Sequence, residues 1–279
     1  MIQIRRMIRE DIAHGMRLKE QAAWNQVEPD WQRLFDLQPD GGFVATFDGK
    51  PIGTVTTCRF GPVAWIAMML VDENYRGQGI GRRLMVRALE DLACHEVCSV
   101  RLDATPLGRP LYESLGFIPE TTFVRFAGIV HPAVGAVELP AGKLQGRDHQ
   151  LIALDREVTG TDRGKLISRL IADHGDSLRV LEDNRDVVGF LMSRPGSRAR
   201  QIGPCIANEW SGRQLLADAS RRYAGESVVI DIPARHNQAL TMGETLGLKP
   251  ARQLLRMGRG PRIAEDLSRL WASAGPEKG

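Results

Sequence analysis

Nowhere in this 279-residue chain is there the run of about 18 to 20 uninterrupted apolar residues that a membrane-spanning helix needs. No membrane partner is therefore expected. A secretory leader is missing too: Met1-Ile2-Gln3-Ile4-Arg5-Arg6 passes straight into alternating apolar and charged residues, without an apolar core or a small-residue cleavage site. A cytoplasmic location is the expectation. Cysteine is scarce, and Cys58, Cys94, Cys98 and Cys205 have neither C-x-x-C spacing nor enough histidines nearby to suggest a zinc site. Buried free thiols and no metal are expected from that pattern. Charge of one sign is hardly in excess: 37 Lys and Arg against 34 Asp and Glu leave +3, with the basic residues scattered. That balance argues against a nucleic acid partner.

What is present is a soluble, globular composition, 43% hydrophobic and 25% charged, in a chain long enough for two ordinary domains. Ile2 and Ile4 suit a short opening strand, and Asp11 stands where it would cap a helix reaching about Ala23. A second short helix is expected over residues 30–37, with Trp31, Leu34, Phe35 and Leu37 on one face. Residues 43–47 and 52–57, joined by Asp48-Gly49, read as a hairpin. Residues 65–71 are apolar throughout, the pattern of a central strand covered on both faces. Beyond a glycine-rich turn, Leu84, Met85, Ala88, Leu89 and Leu92 recur at helical spacing. A strand over 99–103, a short helix over 111–115 and a strand over 122–126 complete the first region.

Residues 129–146 hold prolines and glycines without periodicity and read as a linker between domains at 1–128 and 147–279. The second region repeats the first in outline. Val228-Val229-Ile230-Asp231, then Glu244-Thr245-Leu246-Gly247-Leu248-Lys249-Pro250, echoes Val100-Arg101-Leu102-Asp103, then Glu113-Ser114-Leu115-Gly116-Phe117-Ile118-Pro119. A match at that spacing points to duplication.

The glycine-rich turn carries the chemistry. At Arg76-Gly77-Gln78-Gly79-Ile80-Gly81 a strand gives way to a helix, so successive backbone N–H groups lack intrahelical partners and the helix dipole adds a positive field. Phosphate oxygens are the natural guests, with Arg76 and Arg82 adding charge-assisted contacts. The turn lacks the Lys-Ser/Thr ending of a nucleoside triphosphate loop. It also follows a hairpin, not the βαβ start of a dinucleotide-binding domain.

Val71-Asp72-Glu73-Asn74-Tyr75-Arg76-Gly77-Gln78-Gly79-Ile80-Gly81-Arg82-Arg83-Leu84 resembles the acetyl-coenzyme A motif of the GCN5-related N-acetyltransferases, the GNAT family. Downstream, Pro110-Leu111-Tyr112-Glu113-Ser114-Leu115-Gly116-Phe117 resembles the second signature of that family. The resemblance implies an α/β (α+β) architecture: two tandem GNAT-like domains, each a mixed, mainly antiparallel sheet flanked by helices. It implies acetyl-CoA as cosubstrate, without a metal, and direct attack of an amine on the thioester. Met69, Leu70 and Val71 match the strand end that holds the pantetheine arm, and Tyr112 matches the acid that protonates the departing thiolate. Residues 76–82 match the pyrophosphate loop.

Two departures from the family pattern stand out. Thr105 occupies the position, seven residues before Tyr112, where many members have an asparagine that bonds pantetheine. Trp65, Ile66, Ala67 and Met68 offer no carboxylate where many members carry a glutamate base. Asp103 is a candidate for that role, or equally a cap for the following turn, with Glu20 and Asp30 behind it. Trp24, Asn25, Gln26 and Trp31 fall in the segment that walls the acceptor pocket in the family, where indoles stack on an acceptor or simply pack in the core.

In the second copy, Gln201 to Glu209 align with the central strand, but Trp210-Ser211-Gly212-Arg213 replaces the glycine loop, and Gly243 stands at the position counted for the tyrosine. A copy without acetyl-CoA chemistry is expected. The resulting expectation is a transferase moving an acetyl group to a primary amine of a small molecule. The alternatives are acetylation of a protein N-terminus or lysine, and a non-catalytic coenzyme A-binding sensor.

Overall fold

The computed structural model describes residues 1–142 and 146–278. Part of the expected linker, at 143–145, lies outside the described residues. The chain forms two compact units. The first comprises Met1–Glu120 together with Met257–Arg262 and Lys278, and the second comprises Thr121–Arg256 and Ile263–Glu277. The boundary thus falls inside a strand, and a late segment of the chain belongs to the first unit.

The chain up to that boundary forms β1 (Ile2–Arg6), α1 (Ile12–Gln21), α2 (Glu28–Leu37), β2 (Gly42–Phe47), β3 (Lys50–Phe60), β4 (Val63–Val71), α3 (Ile80–Ala93), β5 (Ser99–Ala104) and α4 (Arg109–Ser114), and enters β6 (Ile118–Ile129). The strands of the first unit run β1-β2-β3-β4-β5, antiparallel except for the β4–β5 pair. As the apolar run predicted, β4 is internal. The β2–β3 hairpin turns at Asp48 and Gly49, both with positive φ (46° and 80°), the geometry that Asp-Gly favours. Helix α3 lays Leu84, Met85, Ala88 and Leu92 onto the sheet.

Two local expectations are corrected. Asp11 holds the N-cap position of α1 as expected, but its side chain makes no capping hydrogen bond to the helix. Its carboxylate accepts from the Ile8 N–H at 2.9 Å and from Arg5 at 2.6 and 2.8 Å, because the guanidinium offers a charged fork that outcompetes a helix terminus. Cys94 and Cys98 are exposed beyond the end of α3, and only Cys58 and Cys205 are buried.

The second unit contains α5 (Asp148–Thr159), α6 (Gly164–His174), β7 (Arg179–Asp183), β8 (Asp186–Arg194), β9 (Arg200–Ala207), α7 (Glu209–Arg222), β10 (Ser227–Pro233), α8 (Asn237–Thr245), most of β11 (Lys249–Arg259) and β12 (Leu270–Ala272). Its strands run β6-β10-β9-β8-β7, with β12 added beside β9. Leu215, Leu216 and Ala219 of α7 meet Ile230 and Ile232 of β10 in its apolar core. Among the described residues, no helix is long and apolar enough to cross a membrane.

Candidate active site

Between β4 and β5 the sheet of the first unit opens. Their parallel ladder runs from Val63↔Ser99 to Trp65↔Arg101, although β4 continues to Val71 and β5 to Ala104. A bulge lies where they part: Thr56 faces Ala67 and Thr54 faces Leu70, so Met68 and Met69 together oppose Val55. Met68 has φ +47°, and Thr54 Oγ1 donates to its carbonyl at 2.8 Å. The bulge turns this edge of β4 away from β5, leaving a wedge with backbone polar groups on one wall. No strand pairs into it among the described residues. Met69, Leu70 and Val71 lie beyond the bulge.

The glycine loop follows directly. Asp72 accepts from the Asn74 N–H at 3.1 Å and from Arg17 of α1. Burial alone pushes the Asp72 carboxyl up, but Arg17 and the Asn74 N–H outweigh it and hold it below the usual carboxylate range. Gly77 and Gly79 have φ +77° and +74°, a region costly for residues with a Cβ, and both are exposed with open space around them. Helix α3 starts at Ile80, so its first N–H groups face that space. Arg76 Nε donates to the Val71 carbonyl at 3.1 Å and Arg82 Nη1 to Ser114 Oγ at 3.1 Å; both side chains are otherwise exposed, as is Gln78.

Helix α4 brings Tyr112 to the same place. Arg82–Ser114 ties α3 to α4, and Gly81 sits where a Cβ would be 3.2 Å from Met69 Cε and 3.4 Å from Leu111 Cδ2. The start of α3, the end of β4 and α4 therefore converge. Tyr112 is 8% exposed, and burial pushes its phenol up to about 12. Its ring packs edge-on to Phe117, with centroids 6.1 Å apart, and against Gly108, where a Cβ would come within 2.9 Å of the ring. Gly108 was not singled out from the sequence, yet this close approach is what admits the ring. Thr105 opens α4: its hydroxyl oxygen accepts from the Gly108 N–H at 3.3 Å, leaving its hydrogen available as a donor.

The remaining candidates sit elsewhere in the first unit. Asp103 is half-buried near the end of β5. Trp31, at 1% exposure, lies flat against Gly15 of α1 and packs the two helices together, while Trp24 and Asn25 are half-buried in the connector. Asp30 accepts from Arg33 at 2.8 Å, Lys278 at 3.1 Å and the Val27 N–H at 3.1 Å, so its charge is taken up by two cations. Glu20 is exposed and pairs with Lys19. Among the described residues no His, Cys, Asp and Glu cluster could hold a metal.

Residues 7–117 match the Acetyltransferase (GNAT) family, and residues 151–272 match a second Acetyltransferase (GNAT) domain. The chain belongs to the GNAT acetyltransferase family. It carries two GNAT domains in tandem and is an acetyl-CoA-dependent N-acetyltransferase. It is 27% identical over 235 residues to the uncharacterized N-acetyltransferase YitH of Bacillus subtilis, covering 81% of this chain and 80% of that protein. In fold it is similar to a putative acetyltransferase from Pyrococcus horikoshii, with TM-score 0.85 and 23% identity over 100% of this chain and 96% of the other. It is also similar to a tandem GNAT protein from the clavulanic acid biosynthesis pathway, with TM-score 0.68 and 14% identity over 94% of this chain and all of the other.

In the second GNAT domain the corresponding wedge is filled. The β9–β10 ladder again spans only three pairs, from Val228↔Arg200 to Ile230↔Ile202, and Gly203 and Pro204 form the bulge, since Ser193 faces Ile202 and Leu191 faces Cys205. Here β12 enters. Leu270 and Ala272 pair antiparallel with Ile206 and Cys205 of β9, and the Ser273 N–H donates to the Asp231 carbonyl of β10 at 2.9 Å. Trp271 is fully buried against Gly212 of α7, where any Cβ would overlap the indole. Gly243 lies against Phe126, its Cβ position 3.2 Å from the ring, which leaves no room for a tyrosine. A short apolar stretch at residues 270–272 is the only signal for β12 in the sequence, too brief to distinguish a strand from a loop.

Proposed function

We propose that the first GNAT domain transfers an acetyl group from acetyl-CoA to a primary amine of a small molecule, with Tyr112 as general acid, and that the second domain performs no acetyl transfer. The convergence of the wedge, the exposed glycine loop and Tyr112 in one unit carries this reading. Arg76, Gly77, Gln78, Gly79, Ile80, Gly81 and Arg82 take the pyrophosphate, through N–H groups at the start of α3 and two guanidinium groups. Met69, Leu70 and Val71 offer backbone groups to the pantetheine arm, and the Thr105 hydroxyl serves as a further donor.

The amine attacks the thioester carbonyl. Its oxygen takes up charge beside the β4 backbone, and collapse breaks the carbon–sulfur bond and releases a thiolate. Tyr112 protonates that sulfur. Burial keeps the phenol protonated at every physiological pH, so it stands ready as the proton donor to the sulfur as the carbon–sulfur bond breaks. Asp103 is the proposed acceptor of the amine proton. Trp24, Asn25 and Trp31 are proposed for the acceptor side, with Trp31 acting through packing.

A small-molecule acceptor draws support from the tandem protein of the clavulanic acid pathway, whose pathway makes a small molecule. Filling of the second wedge by β12 supports a single reactive site. Coenzyme A release measured with a panel of amino acids, polyamines and aminoglycosides, beside peptide N-termini, tests the acceptor class. Turnover confined to peptides overturns it, and tight coenzyme A binding without turnover on any amine favours a sensor.

A further inference from the structure

Two neighbouring residues of β3 back the opening in the first unit. Gly53 pairs with Val71 and Thr54 with Leu70, just past the bulge on β4. A Cβ on Gly53 would lie 3.0 Å from the Leu70 carbonyl oxygen and 3.1 Å from Leu84 Cδ1, so its absence lets β4 and α3 close on β3 there. Thr54 is fully buried. Its hydroxyl donates to the Met68 carbonyl at 2.8 Å, and Met68 holds φ +47°, a conformation that its own Cβ opposes. The Met68-Met69 peptide is trans, so its N–H points opposite to its C=O. With that carbonyl tied to Thr54 of β3, the Met69 N–H is directed away from β3.

The second unit supplies an internal comparison. Leu191 holds the register of Thr54, since it faces Cys205 as Thr54 faces Leu70, and Gly203-Pro204 stands in place of Met68-Met69. Leucine has no hydroxyl to give, and Pro204, at the position of Met69, has no N–H. Where the donor is gone, the hydroxyl that would aim it is gone as well. This is the unit whose wedge is filled by β12.

We propose that Thr54 is a positioning residue for acetyl transfer: by holding the Met68 carbonyl, its hydroxyl aims the Met69 N–H at the thioester oxygen of acetyl-CoA in the wedge. The inference rests on the first domain being the site of transfer, as proposed above, and is independent of the acceptor and of Tyr112. As the amine nitrogen bonds to the thioester carbon, the carbonyl π pair moves onto oxygen, and it returns when the carbon–sulfur bond breaks. A donor already aimed at that oxygen stabilises the charge without reorganising, whereas one on a loosely held peptide must first be turned. Thr54 acts only through the Met68-Met69 peptide.

Thr54→Val keeps the shape of the side chain and removes the hydroxyl, and Thr54→Ser keeps the hydroxyl. Infrared difference spectra of acetyl-CoA isotope-labelled at its carbonyl carbon, bound to the full chain without an amine, read hydrogen bonding at the thioester oxygen. The carbonyl band is expected at higher wavenumber in Thr54→Val than in the parent, and at the parental position in Thr54→Ser and Tyr112→Phe. With an amine that the parent turns over, kcat should fall about tenfold or more in Thr54→Val, at unchanged coenzyme A affinity, and recover in Thr54→Ser; outright loss of an oxyanion donor costs about 100- to 1000-fold. Should Thr54→Val not fold, Thr54→Ala carries the same expectation. A parental band position in the folded hydroxyl-free variant, or kcat lowered equally by Thr54→Val and Thr54→Ser, overturns the proposal. Turnover confined to peptides, or unchanged in Tyr112→Phe, overturns the reading of function instead, while the band position still decides the role of Thr54.

Discussion

Ser273 donates its backbone N–H to the carbonyl oxygen of Asp231 at 2.9 Å, stitching the residue after β12 to β10 while Ala272 pairs with Cys205 on β9. One short segment thus occupies both walls of the wedge in the second unit. The two units share the same three-pair parallel ladder and a bulge at the corresponding register, at Met68-Met69 and at Gly203-Pro204. What differs is the content of the opening.

If β12 is an integral part of the second core, Trp271→Ala leaves a large cavity under α7. A loss of about 3–5 kcal/mol of unfolding free energy is expected, read by guanidinium denaturation. A loss below about 1 kcal/mol would mean that β12 is only loosely attached.

Tyr112→Phe keeps the ring between Gly108 and Phe117 and removes only the hydroxyl. Turnover should fall by about 100-fold or more with coenzyme A affinity unchanged. In the parent enzyme a phenol at about 12 stays protonated, so kcat should show no alkaline loss attributable to Tyr112 below about pH 11. An alkaline limb near pH 9 that disappears in Tyr112→Phe would contradict this.

Asp72 links the turn before the glycine loop to α1 through Arg17. Its folded pKa lies below the ordinary carboxylate value, so the stability it contributes is complete above about pH 4 and is lost as pH falls through the lower folded value. Melting temperatures of the parent and Asp72→Asn should differ by a constant amount from about pH 5 to 8 and converge below about pH 3. A gap that widens on acidification would reverse the sign of the linkage.

Much of the candidate site's local geometry was legible because glycine and tyrosine positions carry local constraints. Gly77 and Gly79 need a positive φ, and α4 begins at Arg109, directly after a small loop that ends at Gly108. The hairpin was equally readable from Asp48-Gly49. The wedge itself was not, since a ladder that stops at Trp65↔Arg101 depends on a bulge that no residue type announces. Asp11 stands at the N-cap of α1 as read, but its carboxylate turns to Arg5, which local capping chemistry leaves out; Cys94 and Cys98 misled because burial statistics say nothing of a loop after a helix. The boundary inside β6 and the return of Met257–Arg262 to the first unit are long-range choices without local sequence signals.

The central claim is that one domain of the pair retains the cofactor site. Calorimetric titration of the full chain with acetyl-CoA tests it most directly, repeated with Gly79→Val, which forces a branched residue into φ +74° at the pyrophosphate loop. One molecule bound per chain, abolished or strongly weakened by Gly79→Val, is the predicted result. Two molecules bound per chain, or one whose affinity ignores Gly79→Val, would contradict it.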